Sequence, residues 1–302
     1  RISGESSRPR SRTSPASSAK RIKPDQKAMI PSNANAKRTV SSAPAITAEV
    51  TVSMFWGAVI AAVTTPSTSS ANHTLLIKSA KINVGVSKAA VSFLLHLGAR
   101  NPILIYNSID STQYSDLKKK KSNNCPLFIG YVGRLIYGKG IHDLISIFPK
   151  LLGNIKLLII GEGPYNKKLE DLICEMGISN IIFLGEINPE KIPKILQIID
   201  IFVNPSYSEG LPTSVLEACA AGCAVIASNV GGTSEIIVDG YSGFLFQPGN
   251  KMELAEKLNL LITNDNIRNE MGINAKKFVK KNFSREKSLI KWGSIIEKIN
   301  DK

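Results

Sequence analysis

The sequence predicts an α/β protein, a parallel sheet whose strands alternate with helices that cover both of its faces. Three observations carry this expectation. From about residue 82, apolar runs alternate with amphipathic segments, which is the rhythm of βαβ units. The runs are apolar throughout rather than at every second residue, as in Ile155 to Gly161 (IKLLIIG), so each strand is to be buried on both faces. The chain of 302 residues is 43% hydrophobic and 21% charged, enough to build a core and too ordinary in composition for a fibrous or wholly unstructured protein.

Taken in order, Pro126 to Gly133 (PLFIGYVG) reads as the first buried strand, with a helix over Ile141 to Leu152. Ile155 to Gly161 is the second strand and Tyr165 to Met176 its helix. Asn180 to Gly185 (NIIFLG) is the third, followed by a helix near Glu190 to Ile198. Asp200 to Asn204 (DIFVN) is the fourth, and a helix over Pro212 to Ala221 leads to the fifth, Ala224 to Ser228. Phe244 to Phe246 is a short sixth strand, and the remainder is helical over Lys251 to Thr263, Ile267 to Lys280 and Arg285 to Ile299. Sheets of this kind bind ligands outside the carboxyl ends of their strands, so the site is expected there.

Residues 1–80 are different in texture, rich in Ser, Ala, Pro and Thr and without a periodic pattern long enough for an element. They hold 11 of the 38 Lys and Arg residues and 3 of the 24 Asp and Glu residues, so much of the net charge of +14 sits in them. A solvated basic arm accounts for this, with attraction to anionic lipid as the alternative. No aromatic residue interleaves these charges to stack on bases, and nucleic acid is not an expected partner. The apolar run Val50 to Val63 falls short of the roughly 20 residues that span a bilayer. It gives only a faint echo of a secretory signal. Cys125, Cys174, Cys219 and Cys223 form no CxxC pair, and they read as core fillers in a reducing cytoplasm. A first residue other than Met suggests a fragment or a processed chain.

The chemistry-bearing residues cluster where the strands end. After the first strand comes Gly133-Arg134-Leu135-Ile136-Tyr137-Gly138-Lys139-Gly140. Arg134 and Lys139 on a glycine-containing loop before a helix suit a diphosphate, the Arg forking its oxygens and the Lys adding a point charge. An ordinary turn with surface charges reads equally well. Gly161-Glu162-Gly163-Pro164, after the second strand, is read as a structural turn. After the fourth strand, Glu209 lies in the loop and Glu217 about two helical turns further on, at roughly 3.6 residues per turn. Ionised carboxylates are acceptors only, so the pair suits sugar or ribose hydroxyls, the alternative being two solvated glutamates. Free amides at Gly210 to Thr213 can meet phosphate or sugar oxygens. His142 reads as a surface or capping residue rather than a base.

The ordered set GRL(x)3KG, GEGP, FLG, SEGLPTSVLEACAAGCAVIAS and GGTSEIIVDGYSGFLFQPG closely resembles the C-terminal domain of retaining glycosyltransferases of family 4, which have the GT-B fold. The likeness runs from about Ile82 to Asn300. It implies a Rossmann-like sheet and transfer of a hexose from a UDP-, GDP- or ADP-sugar to a glycan or lipid-linked acceptor, with retention, in cell-surface polysaccharide or glycolipid synthesis. By position it implies that Arg134 and Lys139 neutralise the diphosphate, that Glu209 contacts the transferred sugar and that Glu217 holds the ribose hydroxyls. Gly133 and Gly163 then border the phosphates, Gly210, Leu211, Pro212 and Thr213 line sugar and phosphate, and Glu186 and Ile187 pass near the nucleobase. The chain contains no DxD, cationic side chains can replace the metal such a pair would hold, and no metal or other cofactor is expected. The resemblance also implies a cytoplasmic protein, with peripheral contact with an anionic inner leaflet as a further possibility.

The resemblance departs in the first half. Only 81–110 resembles the end of the family's N-terminal, acceptor-side domain, and ILIYNSID carries Ser108 where the family usually has Gly. The expected organisation is a disordered basic segment over 1–80, this remnant over 81–110, a linker over 111–124, a nucleotide-sugar-binding domain over 125–283 and a crossing helix over 284–302. With the acceptor half mostly missing, the alternative to an active transferase is a module that binds the nucleotide sugar without transferring it. Trp292 is an interdomain anchor by analogy. With its partner domain absent, the last helix is expected to expose Trp292, Ile295, Ile296 and Ile299 and to drive self-association.

Overall fold

The computed structural model describes residues 49–55, 58–64, 77–114 and 125–300, with 49–64 and 298–300 described by backbone alone. All of them belong to one compact unit, Asn35–Lys302. Its smaller sheet is built from β1 (Glu49–Phe55), β2 (Ala58–Thr64), β3 (Ile82–Gly85) and β4 (Ile103–Leu104), in that spatial order. The first three strands run antiparallel to their neighbours, and β3 and β4 are parallel, joined through α1 (Lys88–His96).

This corrects the expectation that 1–80 holds no secondary structure. EVTVSMF and AVIAAVT are dense in Val, Ile, Thr and Ala, and they pair in register from Glu49 with Thr64 to Phe55 with Ala58. β3 supplies the next edge, with Val59 opposite Val84. The rest of that expectation, over 1–48 and 65–76, lies outside the described residues, as do 115–121 of the Lys-rich linker.

The larger sheet follows the sequence reading closely. Its strands are β5 (Leu127–Val132), β6 (Ile155–Ile160), β7 (Ile181–Gly185), β8 (Ile201–Asn204), β9 (Ala224–Ser228) and β10 (Phe244–Phe246). They lie in the order β10-β9-β8-β5-β6-β7, every pair parallel. The chain starts at the centre with β5, builds outward through β6 and β7, then returns to the other side of β5 with β8. At that reversal the chain after β5 leads to a helix on one face and the chain after β8 to a helix on the other, the switch point at which such sheets take ligands.

Helices cover both faces, as the all-apolar strands require. One face packs Leu158, Ile160, Phe202 and Val225 against α4 (Ile192–Leu196), α5 (Thr213–Ala221) and α8 (Asp265–Asn282). The other packs Ile129, Leu157, Ile159, Val203 and Ile226 against α2 (Ile141–Ile147), α3 (Asn166–Glu175) and α7 (Lys251–Thr263). The short helix α6 (Thr233–Ile236) precedes β10. α2 is shorter than its sequence pattern suggests because Pro149 interrupts it, and the chain continues as a 3₁₀ turn over Phe148–Lys150. Asn250 and Asn264 cap α7 and α8, their side-chain oxygens accepting from the amides of Glu253 and Ile267. Cys219 and Cys223 are fully buried between α5 and the sheet, as core fillers should be, whereas Cys125 and Cys174 are exposed.

The final helix, α9 (Arg285–Asn300), buries part of its apolar surface and leaves Leu289, Ile290 and Ile296 exposed. Ile295 is 4% exposed in a cluster with Val84 and Ile105, and Trp292 packs against the same cluster. The β3–β4 unit therefore covers Ile295 and part of Trp292. Ser288 Oγ donates to the Tyr106 carbonyl at 3.0 Å and Lys291 Nζ to the Leu104 carbonyl at 3.2 Å, tightening the contact. The expectation of an exposed helix is thus corrected for Trp292 and Ile295 and holds for Ile296, at 55% exposed. The side chain of Ile299 lies outside the described residues. Replacing Ile295 with Ala should cost about 2–4 kcal/mol of stability, whereas Ile296→Ala should stay within about 0.5 kcal/mol. Urea unfolding of both variants checks this.

Candidate functional site

The loop after β5 and the loop after β8 are built to touch. Gly140 closes the first loop at φ +64, a left-handed conformation that an L side chain rarely adopts. A Cβ at this position would also overlap the carbonyl oxygen of Pro205 in the second loop. The contact is completed by the Tyr207 amide, which donates to the Gly138 carbonyl at 2.9 Å. A Gly at position 140 is therefore demanded by both the turn and the close approach.

This contact brings the predicted cation and carboxylate together. Lys139 Nζ lies 2.7 Å from Glu209 Oε1, a partly buried ion pair with side-chain exposures of 26% and 10%. The same oxygen accepts from Ser206 Oγ at 2.7 Å and Asn204 Nδ2 at 3.3 Å. Both of those residues are buried, and Ser228 Oγ pins the loop beneath them by donating to the Ser206 carbonyl at 2.6 Å. Glu209 is therefore held by a prepared set of donors, not by one flexible lysine. Sequence reasoning named Lys139 and Glu209 but not Asn204, Ser206 or Ser228, whose signal was only their place at the ends of two strands.

Arg134 shares the loop but not the pairing. Its side chain is exposed, and among the described residues it has no ion-pair partner. The Tyr131 hydroxyl donates to its carbonyl at 3.1 Å, which fixes the backbone beneath it. Gly133 lies between Val132 and this arginine, its amide donating to the Ile160 carbonyl at 3.0 Å. Glu162, Gly163 and Tyr165 lace the loop after β6 to the same place. The Leu135 amide donates to the Glu162 carbonyl at 2.9 Å and the Tyr165 amide to the Leu135 carbonyl at 3.0 Å. That is the structural turn read for this segment. Glu186 and Ile187 follow β7, the outermost strand on that side, with Glu186 exposed and Ile187 packed on the core.

Gly210, Leu211, Pro212 and Thr213 form the turn into α5, with Leu211 and Pro212 buried and Thr213 exposed. Asn107 Nδ2 donates to the Leu211 carbonyl at 3.0 Å, so the smaller sheet reaches this turn directly. Glu217, further along α5, is half-buried with no ion-pair or hydrogen-bond partner among the described residues, and burial raises its carboxyl above the usual range. A partly desolvated carboxylate lacking donors is suited to a ligand that brings hydroxyl groups.

Two features lay beyond the sequence reading. His142, expected at the surface, is half-buried and stacks on Tyr137 with ring centroids 4.8 Å apart. Burial lowers its pKa, which favours the neutral imidazole. Its Nε2 is 3.1 Å from the Tyr207 hydroxyl, which donates to Asp143 Oδ2 at 2.6 Å. Lys251 pairs with the other oxygen of Asp143 at 3.1 Å. Tyr207 thus ties the loop that carries Glu209 to α2 through its side chain and to the loop before α2 through its amide. The second feature is Glu235, whose carboxylate accepts from the amide of Lys88 and the hydroxyl of Tyr106. Nothing local could reveal a pairing across so long a stretch of chain.

The buried titratable groups set two expectations. Glu217 has a folded pKa above its unfolded value, so its contribution to stability is fully present below the unfolded pKa and is lost as pH rises through the folded one. Glu217→Gln should therefore raise the melting temperature at pH 7 by about 1–4 °C, a gain that vanishes near pH 4. Paired scans at the two pH values test it. Tyr106 is pushed up to about 12 by burial and by its bond to Glu235, and Tyr114, Tyr131 and Tyr207 are raised mainly by burial. Their stabilising contribution is intact below pH 10 and is lost as pH climbs through the raised values. Phenolate absorbance should therefore show these four tyrosines ionising late and together with loss of fold.

The family model described as glycosyl transferases group 1 matches residues 113–278, which take in both loops and α5. An uncharacterized glycosyltransferase of Methanocaldococcus jannaschii is 30% identical over 236 residues, 74% of this chain and 60% of the relative. CapM of Staphylococcus aureus, a capsular polysaccharide biosynthesis glycosyltransferase, is 29% identical over 216 residues, 70% of this chain and 56% of its own. HepE of Anabaena, crystallised with UDP-glucose, is similar in fold, with a TM-score of 0.67 over 76% of this chain and 66% of its own at 24% identity. The chain spans 50–60% of the length of the first curated relatives it matches. Among the described residues no helix is long and apolar enough to cross a membrane. The chain belongs to the glycosyl transferases group 1 family, and its six-stranded sheet is the C-terminal half of a GT-B fold.

Proposed function

We propose that this chain binds a nucleoside diphosphate sugar at the crevice between the loops after β5 and β8 and transfers its hexose with retention of configuration. The observation that carries the reading is the Lys139–Glu209 pair at 2.7 Å, set where the strand order reverses, with Arg134 exposed beside it. Lys139 and Arg134 take the diphosphate, Glu209 and the Gly210–Thr213 turn take the sugar, and Glu217 takes the ribose hydroxyls. Gly133 and Gly163 border the phosphates, and Glu186 and Ile187 border the base. UDP, GDP and ADP sugars are the donor class, and HepE, a GT-B relative in fold, was crystallised with UDP-glucose.

When the bond between the anomeric carbon and the phosphate oxygen breaks, its electron pair stays on the departing diphosphate. Stabilising that charge is the main electrostatic task, and two fixed cations supply it without a resident metal. Lys139 is paired with Glu209, so donor binding in this reading exchanges partners. Lys139 turns to the phosphate, and Glu209 keeps Ser206 and Asn204 and gains the sugar hydroxyls. The acceptor is a glycan or a lipid-linked sugar, in line with CapM being a glycosyltransferase of capsular polysaccharide biosynthesis, in a cytoplasmic protein with peripheral contact at an anionic membrane face. A second reading is a module that holds the donor without transferring it, and it draws on the small share of the described residues that lies outside the larger sheet's unit. Among the described residues the smaller sheet carries α1 as its one long helix.

Calorimetric titration with UDP, GDP and ADP tests the reading. One nucleotide should bind selectively, and Arg134→Ala and Glu217→Ala should each weaken it about tenfold or more, with EDTA changing nothing. A folded chain that binds none of the three, or binds equally after both substitutions, would refute it. Glu209→Gln should tighten the bare nucleotide about 3–10-fold, because it frees Lys139, while slowing sugar transfer. That gain should disappear when Lys139→Met is added; a gain that persists would show long-range charge rather than partner exchange.

A further inference from the structure

We propose that Glu235 is a positioning residue that clamps α1 and Tyr106 of the smaller sheet's unit onto the donor side, and thereby holds the Gly210–Thr213 turn in shape for the sugar. This deepens the donor reading above and rests on it. Lys88 N donates to Glu235 Oε1 at 2.8 Å and lies 3.1 Å from Oε2, and Ala89 N is 3.4 Å from Oε1. The Tyr106 hydroxyl donates to Oε2 at 2.8 Å. A single carboxylate thus gathers two amides from the first turn of α1 and a phenol from beyond β4.

The chemistry favours such a clamp. The first-turn amides of a helix lack intrahelical acceptors and carry its positive end, so an anion there is stabilised. Ser87 serves the next amide, accepting from Ala90 N at 3.0 Å. The remaining donors are left for a residue 147 positions away. Glu235 sits on α6, directly after Gly232, and Gly232 is wedged between the two sides. A Cβ on it would overlap the Gly210 carbonyl, the Ser87 side chain and the Leu211 side chain. The Gly232 amide also donates to the Gly210 carbonyl at 2.8 Å.

Asn107, next to the clamped Tyr106, then donates to the Leu211 carbonyl at 3.0 Å. Glu235 therefore reaches the turn by two routes, one through Gly232 to Gly210 and one through Tyr106 and Asn107 to Leu211. Neither route touches Arg134, Lys139 or Glu217. The consequence is selective: loosening the clamp should spoil recognition of the sugar and spare the nucleotide.

Hydrogen exchange over 87–96 and calorimetry with UDP and UDP-glucose, or the GDP or ADP equivalents if those bind, test this in the full chain. Glu235→Ala should speed exchange at the Lys88 and Ala89 amides at least tenfold. Nucleotide affinity should stay within about twofold of the parent while sugar-nucleotide affinity falls about tenfold. Glu235→Gln, which keeps an acceptor oxygen, should be intermediate. Tyr106→Phe removes one bond only, and it decides the matter by the same comparison if Glu235→Ala fails to fold. Unchanged exchange overturns the clamp, and nucleotide and sugar nucleotide weakening in parallel, or not at all, overturns its role. A parent chain that binds no nucleotide would instead defeat the donor reading, and the exchange data would still decide the clamp.

Discussion

The site depends on one close approach, the contact between the loop after β5 and the loop after β8. The parallel strand order makes these loops neighbours, but it is the missing side chain at Gly140, against the Pro205 carbonyl, that lets them meet. Given that contact, Lys139 finds Glu209, the Tyr207 amide finds Gly138, and the Tyr207 hydroxyl finds Asp143. Take it away and Lys139 loses its fixed distance from Glu209. The spacing of the two charges is in this sense stored in the backbone, and the proposed donor reading depends on it.

A second theme is the opposition between stability and binding. Glu217 is buried enough to raise its pKa and has no partner among the described residues, an arrangement that costs stability and that the proposed donor reading assigns to ribose hydroxyls. Lys139 is treated the other way, since an ion pair with Glu209 satisfies it. The two groups are thus prepared differently, one without a partner among the described residues and one paired. Arg134 is exposed on the same loop as Lys139.

Much of this was legible in the sequence because it is local. The strands and most helices of the larger sheet announce themselves as apolar runs and amphipathic periods, and β9 and β10 fall where the pattern puts them. Arg134, Lys139, Glu209 and Glu217 stand out because they gather in the loops and helix that follow two neighbouring strands, although each alone also reads as an ordinary surface charge. What escaped notice is non-local. The β1–β2 hairpin has little meaning without β3 beside it, and Glu235 has none without α1. The packing of Trp292 and Ile295 likewise needs β3 and β4 to be present, and those two short strands replace a surface that the sequence suggested was gone.

The central claim is that Lys139 exchanges Glu209 for the diphosphate of a donor, and a crystal structure of the chain grown with UDP, or with whichever nucleotide binds, would test it most directly. The account predicts the Lys139 ammonium within about 3 Å of a phosphate oxygen. It also predicts a Lys139–Glu209 separation well beyond 2.7 Å, with Ser206 and Asn204 still on Glu209. A nucleotide bound elsewhere on the sheet, or one bound in the crevice with that ion pair still closed, would contradict it.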